Sequence, residues 1–213
     1  MKIILWGSTG LTGREILSQA LEDEHEVKAV VRKPEQIKVE HANLTVIRGD
    51  VLNPQSVQET VAGGEVVISA LGTGSTIEEA SKPTTVYSEG FANIVAAMRK
   101  HNIRRFIALV AVGPVPYPNE PPFHKEVIRP MRKANYDDIR KAENNVLANC
   151  DDLDWIGIRP VRLMDTPRTG KYRTAIDFLP PDGVEISRAD VAEFMLKQMT
   201  TDEHLRNYVT IAY

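Results

Sequence analysis

Residues 1–13 constrain this chain more than any other stretch. Ile3, Ile4, Leu5 and Trp6 run directly into Gly7-Ser8-Thr9-Gly10-Leu11-Thr12-Gly13, and Ile16, Leu17, Ala20 and Leu21 then recur at helical spacing. An apolar run, a glycine cluster and a helical period read as a buried strand, a tight turn and a helix N-terminus. That unit cradles a dinucleotide pyrophosphate. Gly7 permits the turn, Gly10 lets phosphates approach the backbone, and Gly13 lets the helix pack close to the strand. The first-turn N–H groups have no intrahelical acceptor and carry the positive end of the helix dipole. The spacing is Gly-x-x-Gly-x-x-Gly, looser than Gly-x-Gly-x-x-Gly, and a glycine turn can also be a plain connector. A first strand at residue 3 is expected to leave no room for an earlier domain.

The chain has 213 residues and a formal net charge of −3, enough for one large α/β domain with a real core. The charge argues against nucleic acid or an anionic membrane as partner, and Arg104-Arg105 and Arg132-Lys133 read as solvated element ends. The one cysteine, Cys150, excludes an internal disulfide and suits packing. There is no signal peptide and no apolar run near 18 residues, so a cytoplasmic location is expected. His25, His41, His101, His124 and His204 show no metal-ligand spacing. All but His124 are expected at surface turns or helix ends.

Strand-like and helix-like segments alternate. Strands are expected at 26–31, 44–48, 65–70, 105–111 and 155–158, with a closing strand at 207–212. Asn53-Pro54 gives an N-cap followed by proline at the first helical position. Phe91, Ile94, Val95 and Met98 mark one helix face; Ile139, Ala142, Val146 and Leu147 mark another. Ser187 and Asp190 form the capping pattern of a last helix. The expected fold is α/β, a Rossmann-type doubly wound parallel sheet with helices on both faces and a small C-terminal substrate portion. Residues 113–130 carry Pro114, Pro116, Pro118, Pro121, Pro122 and Pro130, which forbids one long helix. They follow the fifth strand on the carboxyl edge of the sheet, where ligands bind, though a rigid crossover would look the same. Residues 159–182 form a second irregular region, with a strand-like piece at 171–176.

The second strand ends Val30-Val31-Arg32-Lys33, with no acid for a ribose diol. A guanidinium there can pair with a 2′-phosphate, which favours NADP(H), whereas a solvated Arg-Lys pair is the plainer alternative. Asp50 can accept from an adenine amino group or cap its own turn, and the Val51 N–H can donate to the ring. Leu71-Gly72-Thr73 follows the fourth strand with small residues that let a ribose lie against the backbone.

With GDVLNPQSVQETVAG, LGTG, PTTVYSEGFANIVAAMRKHNI, IRPVRL and ISRADVAEFML, the chain resembles the atypical short-chain dehydrogenase/reductases along nearly its whole length. It is most similar to the flavin-reductase-like members of their NAD(P)H-binding, NmrA-like branch. The resemblance implies one NAD(P)-binding domain over 1–213, with the substrate side drawn mainly from 113–130 and 159–186. It implies NADPH held by Gly7, Ser8, Thr9, Gly10, Leu11, Thr12 and Arg32. Asp50 and Val51 would hold the adenine, Leu71, Gly72 and Thr73 would line the ribose, and Ala111, Val112 and the Pro160 loop would flank the nicotinamide. The implied partner is a small planar acceptor, and the implied state a monomer or weak homo-oligomer.

The family's catalytic pattern is broken. Conventional members pair a Ser with Tyr-x-x-x-Lys, the Lys lowering the Tyr pKa. Here Tyr136 and Lys141 are five residues apart. Counted back from Glu143, the lysine position falls on Ile139. Tyr136 and Lys141 are therefore expected on the helix surface and dispensable for catalysis. Leu109-Val110-Ala111-Val112 lacks the family serine, and Arg162 stands where the flavin reductases have histidine. Arg162 could stabilise charge on an acceptor or pair with Asp165; His124 could touch substrate or be a solvated loop residue. Hydride transfer to a flavin or quinone needs no strong protein acid and works mainly by proximity. The expected function is an NADPH-dependent reductase of planar acceptors, with a non-catalytic NADP(H) sensor or an isomerase/epimerase as alternatives.

Overall fold

The computed structural model describes residues 1–74, 77–117, 120–177 and 179–213. Pro118 of the proline-rich segment lies outside the described residues. The main sheet has the order β3-β2-β1-β4-β5-β6-β10-β8. Its strands are β1 (Lys2–Trp6), β2 (Glu26–Val31), β3 (Leu44–Arg48), β4 (Val66–Ser69), β5 (Arg105–Leu109), β6 (Asp154–Pro160), β8 (Arg173–Ile176) and β10 (Tyr208–Ala212). All neighbours run parallel except β8, which pairs antiparallel with β10. The strand-like piece at 171–176 thus extends the main sheet, so the sheet is mostly parallel. A separate parallel pair, β7 (Arg162–Met164) and β9 (Glu185–Ser187), stands apart from the main sheet.

Helices cover both faces, and β1 shows why. Both faces of a parallel sheet are buried, so successive side chains serve opposite cores. Ile3 and Leu5 pack with α1 (Leu11–Glu22) and α7 (Arg188–Lys197), beside Ile16, Leu17, Val191 and Met195. Ile4 and Trp6 pack with α2 (Pro54–Val61), α4 (Ser88–Lys100) and α6 (Lys133–Asn145), beside Val57, Phe91, Ile94, Met98 and Ile139. Phe91 meets Phe106 edge-on at 5.3 Å, a geometry ring quadrupoles favour. A short α3 (Ile77–Ser81) precedes α4. The prolines break residues 121–132 into a π-helical turn (His124–Ile128) and α5 (Arg129–Met131), which leads into α6.

The expected caps form. Asn53 Oδ1 accepts from the Ser56 N–H at 3.1 Å, with Pro54 in the first turn. Ser187 Oγ accepts from the Asp190 N–H at 2.9 Å. Two expectations shift. α6 ends at Asn145, and Leu147 is buried in a following 3-10 turn. His204 is buried, not at the surface, and hydrogen-bonds Gln198 Oε1 at 2.9 Å. Cys150 is buried and its thiol reaches the Val146 carbonyl at 3.0 Å, as a packing residue would.

Asp190 ties the C-terminal region together. Its carboxylate accepts from the Thr169 and Gly170 N–H groups (2.9 and 2.7 Å), the Thr169 hydroxyl (2.9 Å), the Ser187 hydroxyl (3.0 Å) and the Tyr213 hydroxyl (2.6 Å). Burial pushes this carboxyl up, but hydrogen bonds from Tyr213, Gly170 and Thr169 outweigh it and hold it below its usual value of 3.8. A depressed carboxyl contributes stability that is present above its unfolded value and lost as pH falls through the folded one. Asp190→Asn should therefore cost about 1–3 kcal/mol in urea unfolding at pH 7. The difference from the parent should shrink below about pH 3.8. A difference that persists undiminished in acid would refute this.

Candidate functional site

The glycine turn sits where β1 and β4 lead their connections to opposite faces. Gly7 has φ +83°, and a Cβ there would lie 2.3 Å from the Ala70 carbonyl oxygen at the end of β4. A Cβ on Gly13 would lie 2.0 Å from the Gly7 carbonyl oxygen, so the helix packs on the turn itself. Gly10 differs: a Cβ would meet only Gly7 O, at 3.3 Å. Gly7 and Gly13 are thus demanded by the fold, while Gly10 keeps space open for something else. No side chain caps α1, and its first turn holds no acid. Its first-turn N–H groups are therefore open to an anion.

One cleft of about 1850 Å³ runs along the carboxyl edge of the sheet. It exceeds the roughly 300–1,000 Å³ of ordinary small-ligand pockets, leaving room for a dinucleotide and an acceptor. Gly7, Thr9, Gly10, Leu11, Thr12, Arg32, Asp50, Val51, Leu71, Gly72, Thr73, Ala111, Val112 and Pro160 all line it. Ser8 does not: its side chain is fully buried beneath the turn, with its hydroxyl unpartnered among the described residues. A smaller hollow between α1 and α7 touches none of these residues.

At one end of the cleft, the Asp50 carboxylate accepts from the Leu52 N–H at 3.0 Å, so it does cap its turn, while also lining the cleft. The Val51 carbonyl accepts from Asn93 at 2.9 Å, which holds that wall against α4. Arg32 is exposed at the end of β2, and Arg14 is exposed in the first turn of α1. Both line the cleft, and no ion pair is formed by either among the described residues. Arg14 was not singled out from the sequence. The signal was its place immediately after Gly13, where a helix dipole ordinarily favours an acid.

The other end overturns an expectation. Tyr136 is buried, not on the surface; only 8% of it is exposed, and it lines the cleft. A Cβ on Gly113 would fall 2.2 Å from the Tyr136 ring, so the ring lies across Gly113 just past β5. Its hydroxyl is 3.2 Å from His124 Nε2. His124 is not a solvated loop residue either: its Nδ1 is 2.5 Å from Glu120 Oε1, which Arg129 also holds at 2.8 Å. Burial pushes the Glu120 carboxyl up, but the hydrogen bonds from His124 and Arg129 outweigh it and keep it below its ordinary value. Burial raises the Tyr136 phenol. Lys141 is exposed, as expected. Tyr136 and Ile139 are three residues apart and both line the cleft, so the helical period already carried the signal for Tyr136.

Asn135, where the family tyrosine would fall, donates to Thr73 Oγ1 at 2.8 Å. Pro160 is the last residue of β6, in register with Ile211, rather than part of a loop. Arg162 is exposed and lines the cleft, and Asp165 pairs instead with Arg188 at 2.6 Å.

A family model described as NAD(P)H-binding matches residues 7–202. The chain belongs to this NAD(P)H-binding family. Its fold is shared with solved short-chain dehydrogenase/reductases. A 3-beta-hydroxysteroid dehydrogenase from Mycolicibacterium neoaurum is 28% identical over 113 residues, 50% of this chain and 31% of that protein. The chain therefore spans about a third of that curated relative. A candidate epimerase from Bacteroides thetaiotaomicron superposes with TM-score 0.81 at 29% identity, covering 100% of this chain and 96% of that one. A candidate NADH-flavin reductase from Streptococcus pneumoniae gives 0.77 at 22%, covering 100% and 99%. A Veillonella parvula short-chain dehydrogenase/reductase in complex with NADP gives 0.78 at 20%, covering 100% and 94%. These last two establish the fold alone.

Gly10 and Gly13 should separate in mutagenesis. Gly10→Val should remain folded by circular dichroism yet lose NADPH binding, because its side chain projects into the open cradle. Gly13→Ala should cost about 1–3 kcal/mol or more of stability, since backbone must shift to admit it. A folded Gly10→Val protein that binds NADPH normally would reduce the turn to a connector.

Proposed function

We propose that the protein is an NADPH-dependent reductase that passes hydride to a planar acceptor such as a flavin or quinone. The observation that carries this reading is a single cleft, continuous from an acid-free helix N-terminus to an aromatic and ionisable pocket past β5. The residues fit the dinucleotide, because Gly10 leaves the cradle open and α1 brings no competing carboxylate. When bound, NADPH would supply a hydride at the Ala111–Gly113 end. The NADP-bound neighbour and the candidate NADH-flavin reductase among the structural relatives lend support.

In this reading the first-turn amides of α1 bind the pyrophosphate, and the Asp50–Val51 turn holds the adenine. Arg32 and Arg14, from different elements on the same cleft, clamp a 2′-phosphate. Ala111, Val112 and Pro160 flank the nicotinamide, while Tyr117 and Phe123, both on the cleft, present aromatic faces to a flat acceptor. Phe123 is 66% exposed, and an acceptor stacked on it would remove apolar surface from water. Arg162, free of Asp165, can place positive charge beside an electron-rich acceptor.

NADPH should bind more tightly than NADH in calorimetry. Arg32→Ala and Arg14→Ala should each weaken NADPH by about 10-fold or more while leaving NADH nearly unchanged, as loss of a charge-assisted bond requires. Equal affinities for the two dinucleotides in the parent would remove the basis for the 2′-phosphate clamp. NADPH consumption with flavins and quinones tests turnover. Tight NADPH binding with no acceptor reduced would favour the sensor alternative.

A further inference from the structure

We propose that Tyr136 is the proton donor of this cleft, that His124 and Glu120 orient and replenish its proton, and that the acceptors it serves are planar aldehydes and ketones. This rests on the reductase reading and adds to it a source for the proton that accompanies the hydride.

Three elements converge here: Tyr136 from α6, His124 from the π-helical turn, and Glu120 from the segment before it. The hydrogen-bond chain runs from the Tyr136 hydroxyl to His124 Nε2 at 3.2 Å, and from Nδ1 to Glu120 at 2.5 Å. Arg129 binds the same Glu120 oxygen through Nε and Nη2, at 3.1 and 2.8 Å. An ionised carboxylate only accepts, so the Glu120 oxygen assigns a hydrogen to Nδ1. In the neutral imidazole, Nε2 then accepts from Tyr136. Once the ring is protonated, Nε2 donates to the phenol oxygen, which turns the phenol hydrogen toward the cleft. The ring is reachable by water, with a fifth of the His124 side chain exposed. Burial keeps Tyr136 protonated, as an acid must be; Arg132 and Arg129 favour the phenolate formed when it gives up that proton, and the charge on Glu120 opposes it more weakly.

This is not the family's Tyr-x-x-x-Lys pair. Those positions are Asn135, turned to Thr73, and Ile139, which has no charge. Tyr136 is one residue further, about 100° around the helix, and its partner comes from another element. Gly113 makes this possible, because any side chain there would collide with the ring.

In the step the carbonyl carbon gains the hydride that bound dihydronicotinamide supplies, and the C=O π pair moves onto oxygen. That oxygen takes the Tyr136 proton, leaving an alcohol. The phenolate takes the proton on His124 Nε2, and His124 recovers one from water. The acceptor gains one hydride and one proton. A flavin or quinone takes hydride to a stabilised anion and needs no such donor, whereas an aldehyde or ketone would leave an alkoxide, which is why the network selects that class.

The test uses the full chain with NADPH and the planar ketone probe isatin. Tyr136→Phe should lower kcat by about 100-fold or more, with NADPH affinity unchanged in calorimetry. Glu120→Gln and His124→Asn should lower kcat less and raise its solvent deuterium isotope effect, which a merely structural role would leave alone. A Tyr136→Phe loss within about three-fold overturns the donor role. Flavin or quinone reduction by the parent without isatin reduction overturns the acceptor class but leaves the reductase reading standing. Reduction of none of the three overturns both. Nitrogen-15 NMR then judges the proton chain without turnover: neutral His124 should carry its hydrogen on Nδ1, and its Nε2 resonance should move in Tyr136→Phe. A neutral ring protonated on Nε2, or no response to Tyr136→Phe, overturns the relay.

Discussion

The contact on which the rest of this structure depends is backbone against backbone. The turn at Gly7 lies so near Ala70 that no side chain fits between them, and α1 starts over the Gly7 carbonyl so closely that Gly13 is equally bare. This stacking fixes the start of α1 at the carboxyl edge of the sheet, exactly where β1 and β4 send their connections to opposite faces. Every other wall of the cleft is a strand end or a connection that leaves that same edge. Inserting even one carbon into such a packed site typically costs 1–3 kcal/mol through backbone shifts, and at Gly7 the left-handed φ adds roughly 1–2 kcal/mol for a side chain.

The second organising theme is how buried polar groups are shared between helices under the cleft. Asp138 on α6 accepts from the Tyr87 N–H at 2.8 Å and from the Ser88 hydroxyl, so one helix caps the start of another. Tyr87, pushed up to about 12 chiefly by burial, stays a neutral phenol beside it. Asn135 joins α6 to the loop after β4 through Thr73. Buried polar groups left unpaired are costly, and satisfied ones rigidify the site. Asn135 thus fastens α6 to the cleft wall. That fastening also fixes the rotation of α6, and the rotation is what presents Tyr136 to Gly113 and His124.

Much of this protein was written in local sequence. Strand-like segments between helical ones placed β2 and β3 to the residue, and Asn53-Pro54 and Ser187 located two helix starts, because caps and local patterning are short-range effects. The glycine spacing announced the tight strand-to-helix turn for the same reason, since a turn's backbone demands are met within seven residues. The lack of an acid after β2 was likewise readable, although the second cleft arginine, Arg14, emerged only when α1 and β2 were seen on one edge.

What the tertiary structure alone decided lies where contacts cross long stretches of chain. Ser8 is buried beneath its own turn because of what packs on it. β8 joins the main sheet because β10, more than thirty residues later, offers an open edge. Tyr136 counts as misplaced when judged by its spacing to Lys141, a test confined to one helix. Its real partners are Gly113, 23 residues before it, and His124 on a proline-broken segment. Spacing within a helix reports which residues share a face; only the packing of that helix against β5 and residues 120–132 determines what the face meets.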